Sequence, residues 1–161
     1  MKLLKYSFLL ILAVVISSSV NAQDEKADRL IGIWEPSHGK AKVKVEKIGE
    51  KYYGKIVWLR EPVNPETEKP KVDKNNPDEK MRSTPLRGYR ILKDFQYTSK
   101  NEWTEGTIYD PENGNTYNCI IKMTDDNTLD IRGYIGISTF GRTKKKQQIL
   151  LGALIPWRAW L

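Results

Sequence analysis

The sequence predicts an all-β chain, a small antiparallel barrel with one long loop that carries a short helix. Three observations carry that expectation. From Arg29 onward apolar residues alternate with polar ones at a period of two rather than at the helical period. Turn residues recur at short intervals, as they do in sandwiches and barrels. Only the segment 61–86 interrupts the alternation, with a run rich in Pro, Lys, Glu and Asn.

The chain opens on a different pattern. Lys2 and Lys5 precede an apolar run from Tyr6 to Ile16, and Val20-Asn21-Ala22 supplies a small-residue cleavage site. That is the layout of a secretory signal peptide, and the run falls short of the ~20 apolar residues a membrane-spanning helix needs. Residues 1–22 are read as a leader, leaving 23–161 as a single barrel domain of ordinary size for one core. No cysteine follows the run, so a lipid-modified N-terminus is not expected. The protein is expected to be secreted or periplasmic, and not an integral membrane protein.

Strands are expected at 29–35, 41–48, 52–60, 87–95, 102–109, 116–123 and 128–137, with a last one inside 142–160. In the first, Leu30, Gly32 and Trp34 share a face. In "KAKVKVEKI" Ala41, Val43 and Val45 turn inward while Lys42, Lys44 and Glu46 meet solvent. In "KYYGKIVWLRE" the inward face is Tyr52, Gly54, Ile56 and Trp58, because Lys55 occupies the other. Within 61–86, Asn76 suits a helix N-cap and Pro77 the first helical position. Glu79 completes a capping box, Asp78 and Arg82 are spaced to pair, and Pro85 ends the turn.

"GTIYDPENGNTYNC", residues 106–119, is the stretch richest in polar chemistry. It fails as an EF-hand loop: with Gly114 at the glycine position, Tyr109 and Pro111 fall where oxygen ligands belong. It works as a hairpin. Setting Tyr109 opposite Thr116 brings Ile108 to Tyr117, Gly106 to Cys119 and Thr104 to Ile121, so apolar or small residues meet on one side. Asp110 then caps backbone amides, Pro111 presets its φ and Gly114 takes the left-handed position. Cys119 is the single cysteine and shares the apolar face of Tyr117, Ile121 and Met123, which points to a buried thiol. His38 is the single histidine. No nucleophile elbow, zinc-ligand spacing or phosphate loop occurs, so no enzyme activity, metal or cofactor is expected.

The chain is basic, with 27 Lys and Arg against 20 Asp and Glu. Its lysines interleave with apolar residues as one solvated strand face. No arginine–aromatic platform stands out, so no nucleic-acid partner is expected. Nonspecific attraction to an anionic envelope surface or polysaccharide is the more natural consequence of that charge.

Several motifs in order carry a family resemblance: "GIW", "YYGKIVW", "NPDEKMRSTPLRG", "GTIYDPENGNTY" and "LDIRGYIGISTFGRT". Over about 28–143 they resemble the exported bacterial family called domain of unknown function 2147. The resemblance implies a lipocalin-like barrel of the calycin group, and no established activity. Gly32 and Trp34 match its early Gly-x-Trp. Asn76, Pro77, Asp78 and Arg82 match its loop motif, and Tyr109, Asp110, Pro111, Gly114 and Tyr117 its hairpin motif. The tail "KKKQQILLGALIPWRAWL" departs from the usual ending, with Trp157 and Arg158 as a displaced Trp-Arg pair or a different structure.

Barrels of this kind leave room for one small ligand, and aromatic residues make apolar walls with polar tips. A small apolar or amphipathic ligand is therefore the expected partner, with Trp34, Tyr52, Trp58, Arg82, Tyr89, Trp103, Tyr117 and Arg132 as candidate contacts. The competing reading is that Trp34, Trp58 and Trp103 only fill the core. An envelope-associated protein–protein module without a small ligand is the alternative function, favoured by the basic exterior and the Trp-ended tail. That tail, with Ile149, Leu150, Leu151, Leu154 and Ile155, is expected to pack on the barrel as its last strand, anchored by Trp157 and Trp160.

N-terminal sequencing of exported protein should begin at Gln23; Met1 retained in a membrane fraction would contradict the leader.

Overall fold

The computed structural model describes residues 25–135 and 147–156. The expected leader 1–22 and the expected anchors Trp157 and Trp160 lie outside those residues. Eight strands close into an antiparallel barrel in chain order. They are β1 (Gly32–Pro36), β2 (Ala41–Ile48), β3 (Lys51–Leu59), β4 (Arg90–Ser99), β5 (Glu102–Asp110), β6 (Asn115–Asp125), β7 (Thr128–Ile135) and β8 (Gln147–Pro156). The last strand pairs with β7 along one side and with β1 on the other, where Trp34 faces Pro156. Pro156 is the final residue of β8, where its missing N–H is least disruptive.

The inward alternation holds where the register is regular. Val43, Val45, Tyr52 and Ile56 are buried on β2 and β3. It fails at Trp58, which is 40% exposed. The pairing slips between Lys42 and Val43, so Lys42 faces Trp58 while Val43 faces Ile56. That extra residue turns the indole to the outer face. On the β5–β6 hairpin, Tyr109 faces Thr116, Ile108 faces Tyr117 and Gly106 faces Cys119, as the pattern required. Below them a bulge puts Trp103, rather than Thr104, opposite Ile121. Glu105 takes a φ of 60° within it.

One end of the barrel is plugged. A helical turn at 25–28 and the residues after it lie across the opening, with Ala27 and Leu30 buried. A turn this short leaves its carbonyls without partners of its own. The indole N–H of Trp103 reaches the Ala27 carbonyl at 3.2 Å, and that of Trp34 reaches Leu30 at 2.9 Å. The Tyr52 hydroxyl donates to Asp28 at 2.6 Å, and Lys47 pairs with the same carboxylate at 3.1 Å. These contacts hold the Asp28 carboxyl below its usual range, the Tyr52 bond more than the lysine. The first strand starts late, at Gly32, because 25–30 is committed to this plug.

Above the plug the interior is solid. Trp103 packs edge-on to Tyr52, with ring centroids 6.4 Å apart. Phe95 lies across Gly106, where a Cβ would come within 2.3 Å of its ring. Cys119 sits in the same layer, fully buried, and desolvation pushes its thiol up to about 12. A thiol so placed is unreactive.

The β3–β4 connection, 60–89, forms a strap over the other end. Its helix is a single 3₁₀ turn, Glu79–Met81, capped by Asp78 rather than by Asn76. Asn76 instead accepts from the Asp78 amide, and Arg82 pairs with Glu79 rather than Asp78. Asn76 is buried, so its side chain serves the strap's interior instead of a helix end. Among the described residues no helix is long and apolar enough to cross a membrane.

Truncation after Thr143 removes β8 and leaves β1 and β7 as open edges. It should lower the melting temperature strongly or cause aggregation. A truncated monomer with unchanged melting would show that the barrel does not depend on its last strand.

Candidate functional site

The strap end of the barrel holds a cavity of about 370 Å³. Its floor and walls are aliphatic: Val43 from β2, Ile56 from β3, Ile91 and Leu92 from β4, Ile108 from β5 and Ile131 from β7. Ala41, Leu59 and Leu86 narrow the mouth, and His38, Lys40 and Glu112 stand at its rim. Strand alternation places the walls other than Ile91, which neighbours the inward Leu92 on β4, and the short β1–β2 and β5–β6 turns place the rim.

The few polar groups that reach this space are already bonded. The Tyr109 hydroxyl donates to the buried Asp73 at 2.8 Å. Burial first, and the Asp73 carboxylate second, push that phenol well above its usual range. The Tyr117 hydroxyl accepts from the Asn113 side chain at 3.0 Å. At the rim, Lys40 meets Glu112 at 2.9 Å, which lowers the carboxyl and raises the amine. Among the described residues no buried side-chain polar atom lacks a partner.

Asp73 ties the strap to the wall. It is fully buried on the strap, and its second oxygen accepts from Asn76 at 2.6 Å. The Asn76 amide also reaches the Tyr89 hydroxyl at 3.1 Å, and the rings of Tyr89 and Tyr109 lie 5.5 Å apart. Next to this hub, the Asn75 amide donates to the carbonyls of Pro111 and Glu112 in the β5–β6 turn. Asp110 spends one carboxylate oxygen on the Glu112 amide and the other on Asn113, and Gly114 has a φ of 74°. The side chains of Asp110, Glu112 and Asn113 thus each have a structural partner. Among the described residues no cluster of three or more His, Cys, Asp and Glu is placed to hold a metal.

Of the eight residues read from sequence as candidate contacts, Tyr117 alone lines this cavity. Trp34, Tyr52 and Trp103 belong to the plugged end, where their polar tips hold the 25–30 turn. Trp58 lies outside, beneath Lys42. Arg82 is exposed on the strap, its guanidinium on the Asn76 carbonyl and on Glu79. Tyr89 braces the hub. Arg132 is exposed on β7 and pairs with Asp130 at 2.7 Å. Alternation turns Ala41, Val43 and Ile56 inward, but it does not tell at which level of the barrel an inward side chain lies. Asp73 carried no sequence signal of its own beyond its place in "VDKNNPD".

Residues 32–147 match the bacterial family described as "Uncharacterized protein conserved in bacteria (DUF2147)". The fold is similar to that of a solved Helicobacter pylori structure, described as "Protein HP1028 from the human pathogen Helicobacter pylori belongs to the lipocalin family". The TM-score is 0.62 at 19% identity, covering 80% of this chain and 83% of that one. At that identity the likeness is one of fold, a lipocalin-like barrel. No curated protein matches the chain.

A Cβ on Gly114 would lie 2.1 Å from the Asn75 carbonyl oxygen, on a residue already at positive φ. Gly114→Val should therefore destabilise by roughly 2–5 kcal/mol and free the strap. Asp73→Ala, which leaves Tyr109 and Asn76 without their buried acceptor, should cost roughly 2–4 kcal/mol. Denaturant melts and strap amide exchange check both; native-like protection of the strap in either variant would contradict the hub.

Proposed function

We propose that this chain, which belongs to that bacterial family, is an exported carrier of a small apolar or amphipathic molecule held in the strap-end cavity. The observation that carries the reading is a void of about 370 Å³ with aliphatic walls, beside a plug that fills the rest of the barrel. Pockets that hold small ligands commonly enclose ~300–1,000 Å³ and are mostly apolar. Because the polar atoms near the walls are bonded within the protein, the enclosed part of the ligand is hydrocarbon. A sugar or nucleotide placed there would lose its water without gaining partners. A polar end fits only at the rim, beside His38, Lys40 and Glu112. The lipocalin-like fold supports the reading, since barrels of this size hold one small ligand.

Export follows from the leader 1–22, which delivers the chain to the periplasm or beyond. There a carrier meets apolar molecules with little solubility of their own. The task is binding and release, with no chemical step on the ligand.

Native mass spectrometry of protein taken from the exported fraction without denaturation should show a defined added mass. Ala41→Phe, which places a ring at the mouth, should weaken uptake of an apolar fluorescent probe about ten-fold, or ~1.4 kcal/mol, while melting stays cooperative. No added mass, together with no saturable probe uptake by the unaltered protein, would overturn the carrier reading.

A further inference from the structure

The outer face of β2, β3 and β4 keeps an arrangement that folding alone disfavours. Lys44 pairs across the strands with Lys55, and Lys55 with Arg90, so three cations stand side by side in one row. Neighbouring strands are about 4.8 Å apart, and like charges directly opposite one another destabilise a sheet. Within the row, Lys55 reaches the Glu46 carboxylate at 3.1 Å. Lys44 and Arg90 are exposed.

An aromatic ring flanks the row on each side. On one, Trp58 is paired with Lys42, whose amine lies 5.0 Å from the ring centre. On the other, Tyr53 is paired with Glu46 and lies under Arg90, 4.8 Å from the guanidinium carbon. Tyr53 and Lys51 also reach Asp94, which places the acidic groups at the lower margin of the face. The centre is cationic and aromatic, with Glu46 bonded to the middle cation, Lys55.

We infer that this face docks on an anionic phospholipid bilayer. Its chemistry complements such a surface: basic side chains gain from anionic headgroups, and Trp and Tyr favour the headgroup level. The cations spread over three adjacent strands, which suits a two-dimensional array of headgroups. A cation already lies over each ring and occupies a face that a stacked sugar would need, which disfavours a glycan. The face lies on the exterior of the barrel, on the other side of the sheet from the cavity interior, so its role does not depend on the carrier reading.

The test is co-sedimentation of the full chain with phosphatidylcholine vesicles and with phosphatidylcholine–phosphatidylglycerol vesicles. Neutral vesicles account for any attachment through the apolar residues 6–16. The unaltered protein should prefer the anionic vesicles and lose that preference as salt rises. The double change Lys44→Gln with Arg90→Gln should weaken anionic binding roughly 20–30-fold, from ~1 kcal/mol per cation. Lys69→Gln with Lys74→Gln, on the strap, should leave it unchanged, and melting curves would confirm that both variants fold. Equal binding to both vesicles, or a double variant that binds like the unaltered protein, would overturn the inference. So would binding to dextran sulfate or polyaspartate without binding to vesicles, which would assign the row to a soluble polyanion.

Discussion

Three hydrogen bonds from aromatic side chains decide how the interior of this barrel is divided. Trp103, Trp34 and Tyr52 each carry a polar tip that is costly to bury alone, and the turn at 25–30 carries groups that need donors or a counterpart. Each set satisfies the other. The turn therefore sits inside the barrel end, and the largest rings gather there with Phe95 laid over Gly106. Volume filled at one end is volume left at the other. The cavity exists because the aromatic mass is drawn to the plug.

The strap end follows a different economy. Its wall residues are aliphatic, and the polar groups close to them turn outward into the Asp73 hub or into the β5–β6 turn. A buried carboxylate with two side-chain donors is expensive to disturb, so the hub fixes strap, wall and rim relative to one another. That rigidity keeps the mouth shaped and keeps polar demand out of the interior. The proposed function would use that point: a preformed apolar space is what an apolar ligand needs, and the hub holds it in shape.

Much of this was legible in the sequence. Alternation located all the strand segments, and the β5–β6 register followed from matching small and apolar residues around "DPENGN". What alternation could not show was the level of a residue along the barrel axis. Trp34 and Tyr52 do face inward, but whether they line a void depends on a turn that reaches them from outside the sheet. Trp58 was lost for a local reason, the slip between Lys42 and Val43, which leaves no mark on composition. Asn76 looked like a helix cap because capping residues and buried amides share one chemistry. Its burial comes from contacts with Asp73 and Tyr89 across the strap. The cation row needed the register of three strands before Lys44, Lys55 and Arg90 became neighbours.

The central claim is that the two ends do different work, structure at the plug and binding at the strap. Heteronuclear NMR during titration with 1-anilinonaphthalene-8-sulfonate tests it directly. Methyl signals of Ala41, Val43, Ile56, Ile91 and Ile108 should shift together and saturably, while the indole N–H signals of Trp34 and Trp103 stay in place. Shifts of those indoles with the cavity methyls unmoved would contradict the account and put the binding site at the plugged end.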